Sequence, residues 1–371
     1  MINILYVVST LKRGGPNNVL YNLISELNRE IFNPKILTLS KEDTTAASLW
    51  DDFLALNVDV ESISLSRLRG FFEGRSILKT FVNKNNIHII HLYGFRGDMI
   101  VRKSDFKNIK IVSTINSNIY DDYTMLYGYF KGRIMAYLHI KSLKGKHAVG
   151  CSSSIAKQLY SRYKIKMDIV LNGIPKNIYK IDPLESNKKF KEELGIPADK
   201  RVFLFVGSLI SRKDPLTVIN GFLNATNTID DSYLLLIGSG PLMESCREIT
   251  KDVSNIKFLG AQPETLKFLK ASDYYISASH SEGLPTSVME AMGCGLPVVL
   301  SNIDPHNELV NEITDWEYKF PINDAAELAN KLSKIIVDDY NMLSLKCRNI
   351  IENKINSKLM TSEYENIYLN K

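Results

Sequence analysis

A strand–loop–helix–strand pattern in the C-terminal half of the chain constrains the fold more than any other feature. Tyr274–Ala278 is apolar enough to form a buried strand, and the polar loop after it leads into a helix that begins near Thr286. Gly293 and Gly295 predict the end of this helix, because glycine readily adopts the left-handed conformation found at helix ends. Val298–Leu300 then predicts a second strand that is apolar on both faces, as in a parallel sheet. The pattern is typical of a doubly wound α/β domain.

The start of this helix predicts an anion site flanked by acids. The N–H groups of 286–289 lack acceptors within the helix, and together with the helix dipole they favour a phosphate. Glu282 lies in the preceding loop and Glu290 lies on the helix. Carboxylates repel phosphate, but each accepts hydrogen bonds from sugar hydroxyls. The combination predicts a nucleotide-sugar site, and the alternative is a pair of solvated acids near a helix start.

The run from Glu282 to Val299 resembles the donor-binding signature of the family 4 retaining glycosyltransferases. Those enzymes have the GT-B fold, in which two Rossmann-like domains face each other across a cleft. The resemblance implies that Glu282 approaches the donor sugar and that Glu290 binds the ribose. It assigns the loop and helix start between them to donor binding, namely Gly283, Leu284, Pro285, Thr286 and Ser287.

Bulk properties set the class of protein. The chain has 371 residues, enough for two or three domains, and its 44% hydrophobic content can fill two cores. A net charge of +5 is too small to predict nucleic-acid binding. The four cysteines are far apart, which predicts reduced thiols and no metal site. No basic leader and no bilayer-length apolar run are visible, so we expect a cytoplasmic protein.

The N-terminal half alternates strands and helices, which predicts a parallel, doubly wound sheet. We expect strands at Ile2–Val8, Lys35–Leu39, Asp59–Ile63, Ile87–His91, Ile109–Ile115 and His147–Cys151. We expect helices at Thr44–Leu56, Ser76–Asn83 and Ser152–Arg162, together with one after Gly14 and Gly15. In the resembled family a Gly-Gly loop at that position faces the donor diphosphate, so the resemblance implies donor contact for this pair.

Polar residues follow two of these strands at the edge where such sheets bind ligands. We therefore expect His91, Tyr93, Asn116 and Asn118 on the acceptor side of the site. A lone histidine such as His91 is also typical of a satisfied structural residue. The family usually has a histidine at the position of Asn116, which we expect to act with the catalytic groups. Asparagine can bond a hydroxyl but cannot take a proton.

The first strand of the C-terminal half, Val202–Val206, leads into a loop with two cations. The family usually has an arginine after the glycine and a lysine five residues later. Here these positions are Ser208 and Lys213, and Arg212 supplies the missing charge. Neutralising a diphosphate needs about two cations, which Arg212 and Lys213 provide. Together with Glu282, whose role the resemblance implies, they are the expected catalytic groups. The resemblance adds donor contacts at Gly207, Ser208, Gly238, Gly240 and Gln262.

Further elements complete the predicted domains. Strands are expected at Tyr233–Ile237 and Ile256–Gly260, and helices at Gln262–Leu269, Asp324–Val337, Met342–Ile355 and Met360–Leu369. The boundary falls near residues 174 to 185, where apolar periodicity is lost. Residues 1–173 form an acceptor-side domain, residues 174–355 form a nucleotide-sugar domain, and residues 356–371 form a helix that crosses back to the first.

Two basic and aromatic stretches lie in the N-terminal half. One is residues 67–75, and the other is a predicted helix from Met125 to Lys146. Each is either an ordinary amphipathic surface or a face that contacts anionic lipid at the inner side of the membrane.

The resemblance implies transfer, with retention, of a hexose or N-acetylhexosamine from a nucleoside diphosphate sugar. UDP is the favoured carrier, and the acceptor is a lipid-linked saccharide of O-antigen or capsule type. No Asp-x-Asp metal pair flanks the site, so we expect no metal and no cofactor besides the nucleotide sugar as co-substrate. A non-catalytic member that binds nucleotide sugar or a partner, and a GT-B nucleotide-sugar epimerase, are the alternatives.

Overall fold

The chain divides into two compact units, residues 1–173 with 357–371 and residues 174–356. The computed structural model describes residues 1–42, 47–101, 105–106, 108–176 and 185–370. The start of the predicted helix at Thr44 and most of the predicted boundary near residues 174–185 therefore lie outside the described residues.

The N-terminal unit is built on a parallel sheet. Its strands are β1 (Ile2–Val8), β2 (Phe32–Thr38), β3 (Asp59–Ser62), β4 (Ile89–Tyr93), β5 (Lys110–Ile115), β6 (His147–Gly150) and β7 (Asp168–Ile169). Among the described residues these seven strands have the order β3-β2-β1-β4-β5-β6-β7. The chain crosses from β3 back past β1 to β4, and such a reversal creates a crevice at the carboxyl ends of the neighbouring strands.

Helices cover this sheet. They are α1 (Gly15–Glu26), α2 (Trp50–Ala55), α3 (Arg67–Phe72), α4 (Gly74–Lys84), α5 (Phe95–Ile100), α6 (Ile119–Tyr127), α7 (Tyr129–Ser142) and α8 (Ser153–Tyr163). The predicted helix from Met125 to Lys146 is wrong, because Gly128 at φ +80° separates α6 from α7. Its aromatic and basic composition did not reveal the break.

The central strand β1 shows why the sheet needs helices on both faces. Ile4, Tyr6 and Val8 pack into one core with α1, whereas Leu5 and Val7 pack into a second core with α4. Alternate residues of a strand point to opposite faces, so a run that is apolar throughout requires two covered faces.

The C-terminal unit repeats this architecture. Its strands are β8 (Arg201–Val206), β9 (Ser232–Ile237), β10 (Ile256–Phe258), β11 (Tyr274–Ser277), β12 (Val298–Ser301) and β13 (Lys319–Phe320). Within the described part of the chain these six strands are parallel and ordered β10-β9-β8-β11-β12-β13. The order reverses between β8 and β11, which places the loops after these two strands side by side.

The helices of this unit follow their strands. They are α9 (Glu185–Glu193), α10 (Pro215–Asn224), α11 (Met243–Ile249), α12 (Leu266–Ala271), α13 (Thr286–Gly293), α14 (Asp304–Val310), α15 (Ala325–Ile335) and α16 (Tyr340–Asn353). Helix α12 begins four residues later than the prediction of Gln262–Leu269. No helix within the described residues is long and apolar enough to cross a bilayer.

The last helix, α17 (Ser357–Leu369), packs in the N-terminal unit. Met360 and Tyr364 belong to the same apolar core as β1 and α1. Thr361 Oγ1 donates to the Leu23 carbonyl at 3.2 Å. The helix thereby covers one face of the first sheet.

Candidate functional site

Three charged side chains of the C-terminal unit meet where β8 and β11 end. Arg212 Nη1 lies 3.2 Å from Glu282 Oε2, and Lys213 Nζ is paired with Glu282 Oε1. Arg212 Nη1 also donates to the Ser281 carbonyl at 2.6 Å. We call Arg212, Lys213 and Glu282 the charged cluster. Arg212 and Lys213 are 70 and 69 residues from Glu282 in the sequence. The structure brings the three side chains together, as the sequence predicted.

Local backbone geometry positions the cluster. Asp214 takes a left-handed conformation at φ +46° and caps α10 by accepting from the Thr217 N–H at 3.1 Å. Arg212 and Lys213 directly precede this turn. His280 joins the facing loop, since its N–H donates to the Arg212 carbonyl at 2.8 Å and its Nε2 lies 3.1 Å from Asp214 Oδ2.

Glu282 is buried and ionised. Burial by itself would raise the pKa of its carboxyl, but the charges of Lys213 and Arg212 lower that pKa to about 2. The cluster therefore carries one net positive charge, with both cations already oriented. Such a preorganised arrangement can stabilise negative charge that develops on a bound group.

Helix α13 begins directly after the loop that carries Glu282. The Met289 N–H donates to the Pro285 carbonyl at 3.2 Å, so this bond closes the first turn. The N–H groups before it point out of the helix start and favour an anion. The loop residues Gly283, Leu284 and Pro285 are buried, whereas Thr286 and Ser287 are half-buried. The start of the helix is therefore the accessible part of this segment.

Glu290 lies one turn into α13 and is half-buried. Thr265 Oγ1, just before α12, donates to Glu290 Oε2 at 3.4 Å. The opposite face of α13 is buried through Val288 and Met292. Because the helix is amphipathic, the half-buried Glu290 lies on the face of α13 that does not pack into the core.

His306 is a buried part of this region that the sequence analysis missed. It lies in α14, with Nε2 at 3.2 Å from Ser277 Oγ and Nδ1 at 2.9 Å from the Ser301 carbonyl. Ser301 Oγ in turn donates to the Ser279 carbonyl at 2.6 Å, which fixes the loop before Glu282. Burial lowers the pKa of His306 to about 4. The Asp-Pro pair that starts α14 was an available signal for this helix.

The loops after β8 and β9 pack so closely that two positions have room only for glycine. A Cβ at Gly238 would lie 1.8 Å from the Gly207 carbonyl oxygen, and one at Gly240 would lie 2.4 Å from the Leu209 carbonyl oxygen. The fold thus requires both glycines whether or not a donor touches them. Ser208 is exposed. Gln262 Nε2 donates to the Leu259 carbonyl at 2.6 Å within its own turn.

The glycine pair of the N-terminal unit has a different environment. Gly14 precedes α1 and Gly15 is its first residue. A Cβ at Gly14 would meet no described atom within 4 Å. Internal packing therefore does not require glycine here, and the space beside the backbone stays open to a ligand.

The acceptor-side role expected for His91 is wrong. The side chain is fully buried, with Nδ1 at 2.7 Å from Tyr368 Oη and Nε2 at 2.7 Å from Thr114 Oγ1. Burial lowers the pKa of His91 to about 3. Nδ1 contacts α17 and Nε2 contacts β5, so both ring nitrogens have partners inside the unit and this histidine is structural.

Asn118 is also structural. Its Oδ1 accepts from the Asp121 N–H at 3.3 Å and caps α6. Tyr93 and Asn116, by contrast, line a cavity at the carboxyl edge of the N-terminal sheet. The structure therefore separates the four residues expected on the acceptor side into two that line a cavity and two that stabilise the fold.

Lys146 does not belong to the exposed basic face that the sequence predicted. Its side chain is 1% exposed and its Nζ lies 2.9 Å from Asp98 Oδ1. In the other predicted patch, the side chains of Arg67, Leu68 and Phe71 lie outside what the structure describes.

Among the described residues, no three His, Cys, Asp or Glu side chains are grouped so that they could bind a metal ion.

The known proteins that this chain resembles are glycosyltransferases. The family model described as Glycosyl transferases group 1 matches residues 186–357. The chain is 30% identical over 221 residues to an Escherichia coli UDP-Gal:alpha-D-GlcNAc-diphosphoundecaprenol alpha-1,3-galactosyltransferase, across 57% of this chain and 56% of that enzyme, just over half its length. It is 28% identical over 380 residues to the Escherichia coli O-antigen biosynthesis glycosyltransferase WclY, covering 100% of this chain and 98% of that one.

Solved structures agree on the fold. Anabaena Alr3699/HepE, crystallised with UDP and glucose, superposes with a TM-score of 0.82 at 16% identity. The superposition covers 99% of both chains. At this identity the likeness concerns the fold alone.

Proposed function

Since this chain is a GT-B glycosyltransferase whose C-terminal unit belongs to the Glycosyl transferases group 1 family, we propose that it moves a hexose or N-acetylhexosamine from a nucleoside diphosphate sugar to an acceptor hydroxyl with retention of configuration. UDP is the proposed carrier. The donor occupies the C-terminal unit, at the charged cluster and the start of α13.

One observation carries this proposal, the convergence of Arg212, Lys213 and Glu282 beside a helix start. The cations and the helix N–H groups suit a diphosphate, whose negative charge grows when the glycosidic bond breaks. Glu282 accepts hydrogen bonds from sugar hydroxyls, and its low pKa keeps it ionised at neutral pH. The two cations replace the metal ion that other transferases use, so the proposed reaction needs no metal.

The proposed acceptor is a saccharide linked to a polyprenyl diphosphate, and the product belongs to O-antigen or capsule-type polysaccharide. The names of the two relatives support this choice, since one acts on a diphosphoundecaprenol-linked sugar and the other in O-antigen biosynthesis. UDP-galactose is accordingly the first donor to test.

Nucleotide binding tests the site. Replacing Glu290 by glutamine is expected to weaken UDP binding by about 1.5–3 kcal/mol, because one charge-assisted hydrogen bond to the ribose is lost. Isothermal calorimetry measures the change. Glu264→Gln, at an exposed position near the same turn, serves as the control and should leave the affinity unchanged. Equal UDP affinity for the Glu290→Gln variant and the unmodified protein would remove Glu290 from the site.

The α6–α7 hairpin supplies a surface for contact with anionic lipid. Eight large apolar side chains are exposed along it, from 39% for Leu138 to 82% for Phe130. The eight are Met125, Leu126, Tyr127, Tyr129, Phe130, Ile134, Tyr137 and Leu138. Lys131, Arg133 and Lys141 are exposed on the same hairpin, and Lys144 is exposed two residues after its end. Aromatic side chains bordered by cations suit an anionic bilayer surface, where the lipid-linked acceptor lies and where the protein would be peripheral on the inner face.

Vesicle sedimentation tests this surface. We expect binding to phosphatidylglycerol vesicles at low salt and release at high salt, because each cation contributes about 1 kcal/mol that salt screens. Replacing Lys131, Lys141 and Lys144 by glutamate should abolish sedimentation and leave UDP affinity intact. The matched control replaces the exposed Lys189, Lys251 and Lys358. Equally poor binding to anionic and neutral vesicles would show that the hairpin is solvated surface.

A further inference from the structure

A cavity of about 570 Å³ lies at the amino edge of the N-terminal sheet, opposite the edge where Tyr93 and Asn116 lie. It is lined by the first residues of β6, the residues around the start of β7 and one face of α8. Its volume is within the range of small-molecule sites. The described lining contains none of the residues assigned above to the donor or the acceptor. A ligand in this cavity would therefore be separate from the reaction site.

The shortness of β7 creates this cavity. β7 pairs with Val149 and Gly150, the last two residues of β6. His147 and Ala148, the first two residues, pair with β5 on one side and with no described strand on the other. Their open side and the small side chain of Ala156 on α8 leave room that a longer strand would fill. The space therefore follows from the course of the backbone.

Two lysines without a counter-charge line this space. They are Lys157 on α8 and Lys166 just before β7, and both are exposed. Among the described residues, neither lysine has an ion pair or a hydrogen bond. Lys146 also lines the cavity, but its charge is balanced by Asp98. The two unpaired ammonium groups are thus available to a ligand.

The acid of the lining does not cancel these charges. Asp168 is the one carboxylate in the described lining, and its Oδ2 lies 2.7 Å from His147 Nε2. Even with a neutral imidazole, two unpaired lysines stand against one aspartate that already has a partner. The described lining therefore carries a positive excess, which favours an anion.

A positive excess beside apolar surface suits a phosphate ester. Two ammonium groups can balance the two charges of a phosphomonoester, and lysine is a common phosphate-binding residue. Inorganic phosphate by itself would leave most of this space empty. Ala148, Ala156 and Met167 line it with apolar surface that suits the uncharged part of an ester. Tyr160 of α8 is 50% exposed, and its hydroxyl has no hydrogen-bond partner among the described residues, so it can donate to the ligand.

We propose that this cavity binds a phosphate ester and that Lys157 and Lys166 hold its phosphate. The ester is either a soluble compound of about the size of glycerol phosphate or the headgroup of an anionic phospholipid. The second source arises because the α6–α7 hairpin, proposed above to contact lipid, ends shortly before Lys146. The site lies apart from glycosyl transfer, so its test needs no turnover.

Binding of glycerol 3-phosphate tests the soluble source. Phosphorus NMR of this ester, with excess UDP present to fill the donor site, should show saturable line broadening. Lys157→Ala and Lys166→Ala should each weaken the affinity by about tenfold, the effect of one hydrogen bond between charged groups. Lys79→Ala and Lys84→Ala are matched controls, at exposed lysines of α4 that also have no ion pair among the described residues. Lys213→Ala should likewise leave the affinity unchanged.

Vesicle sedimentation tests the lipid source. Phosphatidic acid vesicles present a phosphomonoester, and oleate vesicles of equal surface charge present carboxylates. If the cavity binds a lipid headgroup, the double variant Lys157→Ala, Lys166→Ala should bind phosphatidic acid vesicles at least tenfold more weakly and oleate vesicles as before. General attraction to a charged surface would instead weaken both equally. The double variant Lys79→Ala, Lys84→Ala is the control.

The results separate the two sources from each other and from the proposed function. Lysine-dependent binding of glycerol 3-phosphate supports a soluble ester, and a selective loss on phosphatidic acid supports a lipid headgroup. The absence of both effects would overturn the site. Loss of glycerol 3-phosphate binding in Lys213→Ala but not in Lys157→Ala would also overturn it, because the phosphate would then occupy the charged cluster. Turnover of a UDP-sugar should be the same in Lys157→Ala as in the unmodified protein, so failure of this site leaves the proposed transfer intact.

Discussion

Replacing Lys213 by alanine is expected to lower turnover by about 10²–10³-fold, the effect of removing one preorganised group that stabilises charge in a transition state. Donor affinity should change much less. The leaving diphosphate gains negative charge as the glycosidic bond breaks, so the ammonium stabilises the transition state more than the bound donor. Steady-state kinetics with UDP-galactose, together with calorimetry of UDP, measure the two effects separately.

The control for this change is Lys251→Ala. That lysine is 63% exposed and lies 3.3 Å from Glu248 on the surface of the same unit, so both turnover and affinity should be unchanged. Turnover by the unmodified protein should also persist in EDTA, because the proposed site uses Arg212 and Lys213 in place of a metal. A Lys213→Ala variant that loses affinity and turnover equally would contradict selective stabilisation of the transition state.

The pH profile of the same variant gives a second readout. Lys213 is the largest favourable charge acting on Glu282, whose pKa is about 2 in the intact cluster. Without Lys213 the buried carboxyl loses its main counter-charge and its pKa rises. The acid limb of the turnover profile should therefore begin at higher pH in the variant than in the unmodified protein.

Replacing Lys146 by methionine is expected to destabilise the N-terminal unit by about 3–5 kcal/mol, the cost of leaving a buried charge without its partner. Lys146 and Asp98 side chains are 1% and 0% exposed. The methionine fills similar volume, so the loss reports the charge and not a cavity. His139 and Ser113 remain as hydrogen-bond partners of Asp98, but its ion pair with the ammonium of Lys146 is lost.

Urea unfolding measures this effect in the unit concerned. The chain has two tryptophans, Trp50 in the N-terminal unit and Trp316 in the C-terminal unit, so a Trp316→Phe background makes Trp50 the fluorescent reporter. The matched control is Lys144→Met, two residues away and exposed, which should change stability by less than about 0.5 kcal/mol. Similar losses for the two variants would mean that Lys146 contributes no buried ion pair.

Local patterns predicted most of the architecture. The runs that are apolar on both faces, such as Ile2–Val8 and Val202–Val206, correspond to β1 and to β8 within a residue. Such runs are readable because a strand covered on both faces has no polar alternation, whatever packs on it. The helix that starts at Thr286 was equally readable, since its loop and its terminal glycines depend on neighbours in sequence.

The charged cluster was predictable for a related reason. In a doubly wound sheet, the loops after neighbouring central strands must meet at one edge, so the chain order by itself brings Lys213 close to Glu282. Spacing did not reveal that the two form an ion pair. That pairing depends on the left-handed turn at Asp214 and on side-chain positions, which respond to contacts across the unit.

Burial of single polar residues was decided by tertiary structure. His91 was expected on the acceptor side, with a satisfied structural residue as the alternative, and Lys146 was expected in a basic surface patch. Both are buried with specific partners. Those partners are 277 and 48 residues away in the chain. A polar residue is stable inside a protein only where distant groups complete its hydrogen bonds or balance its charge, and a pattern of neighbours in sequence carries no record of which groups those are.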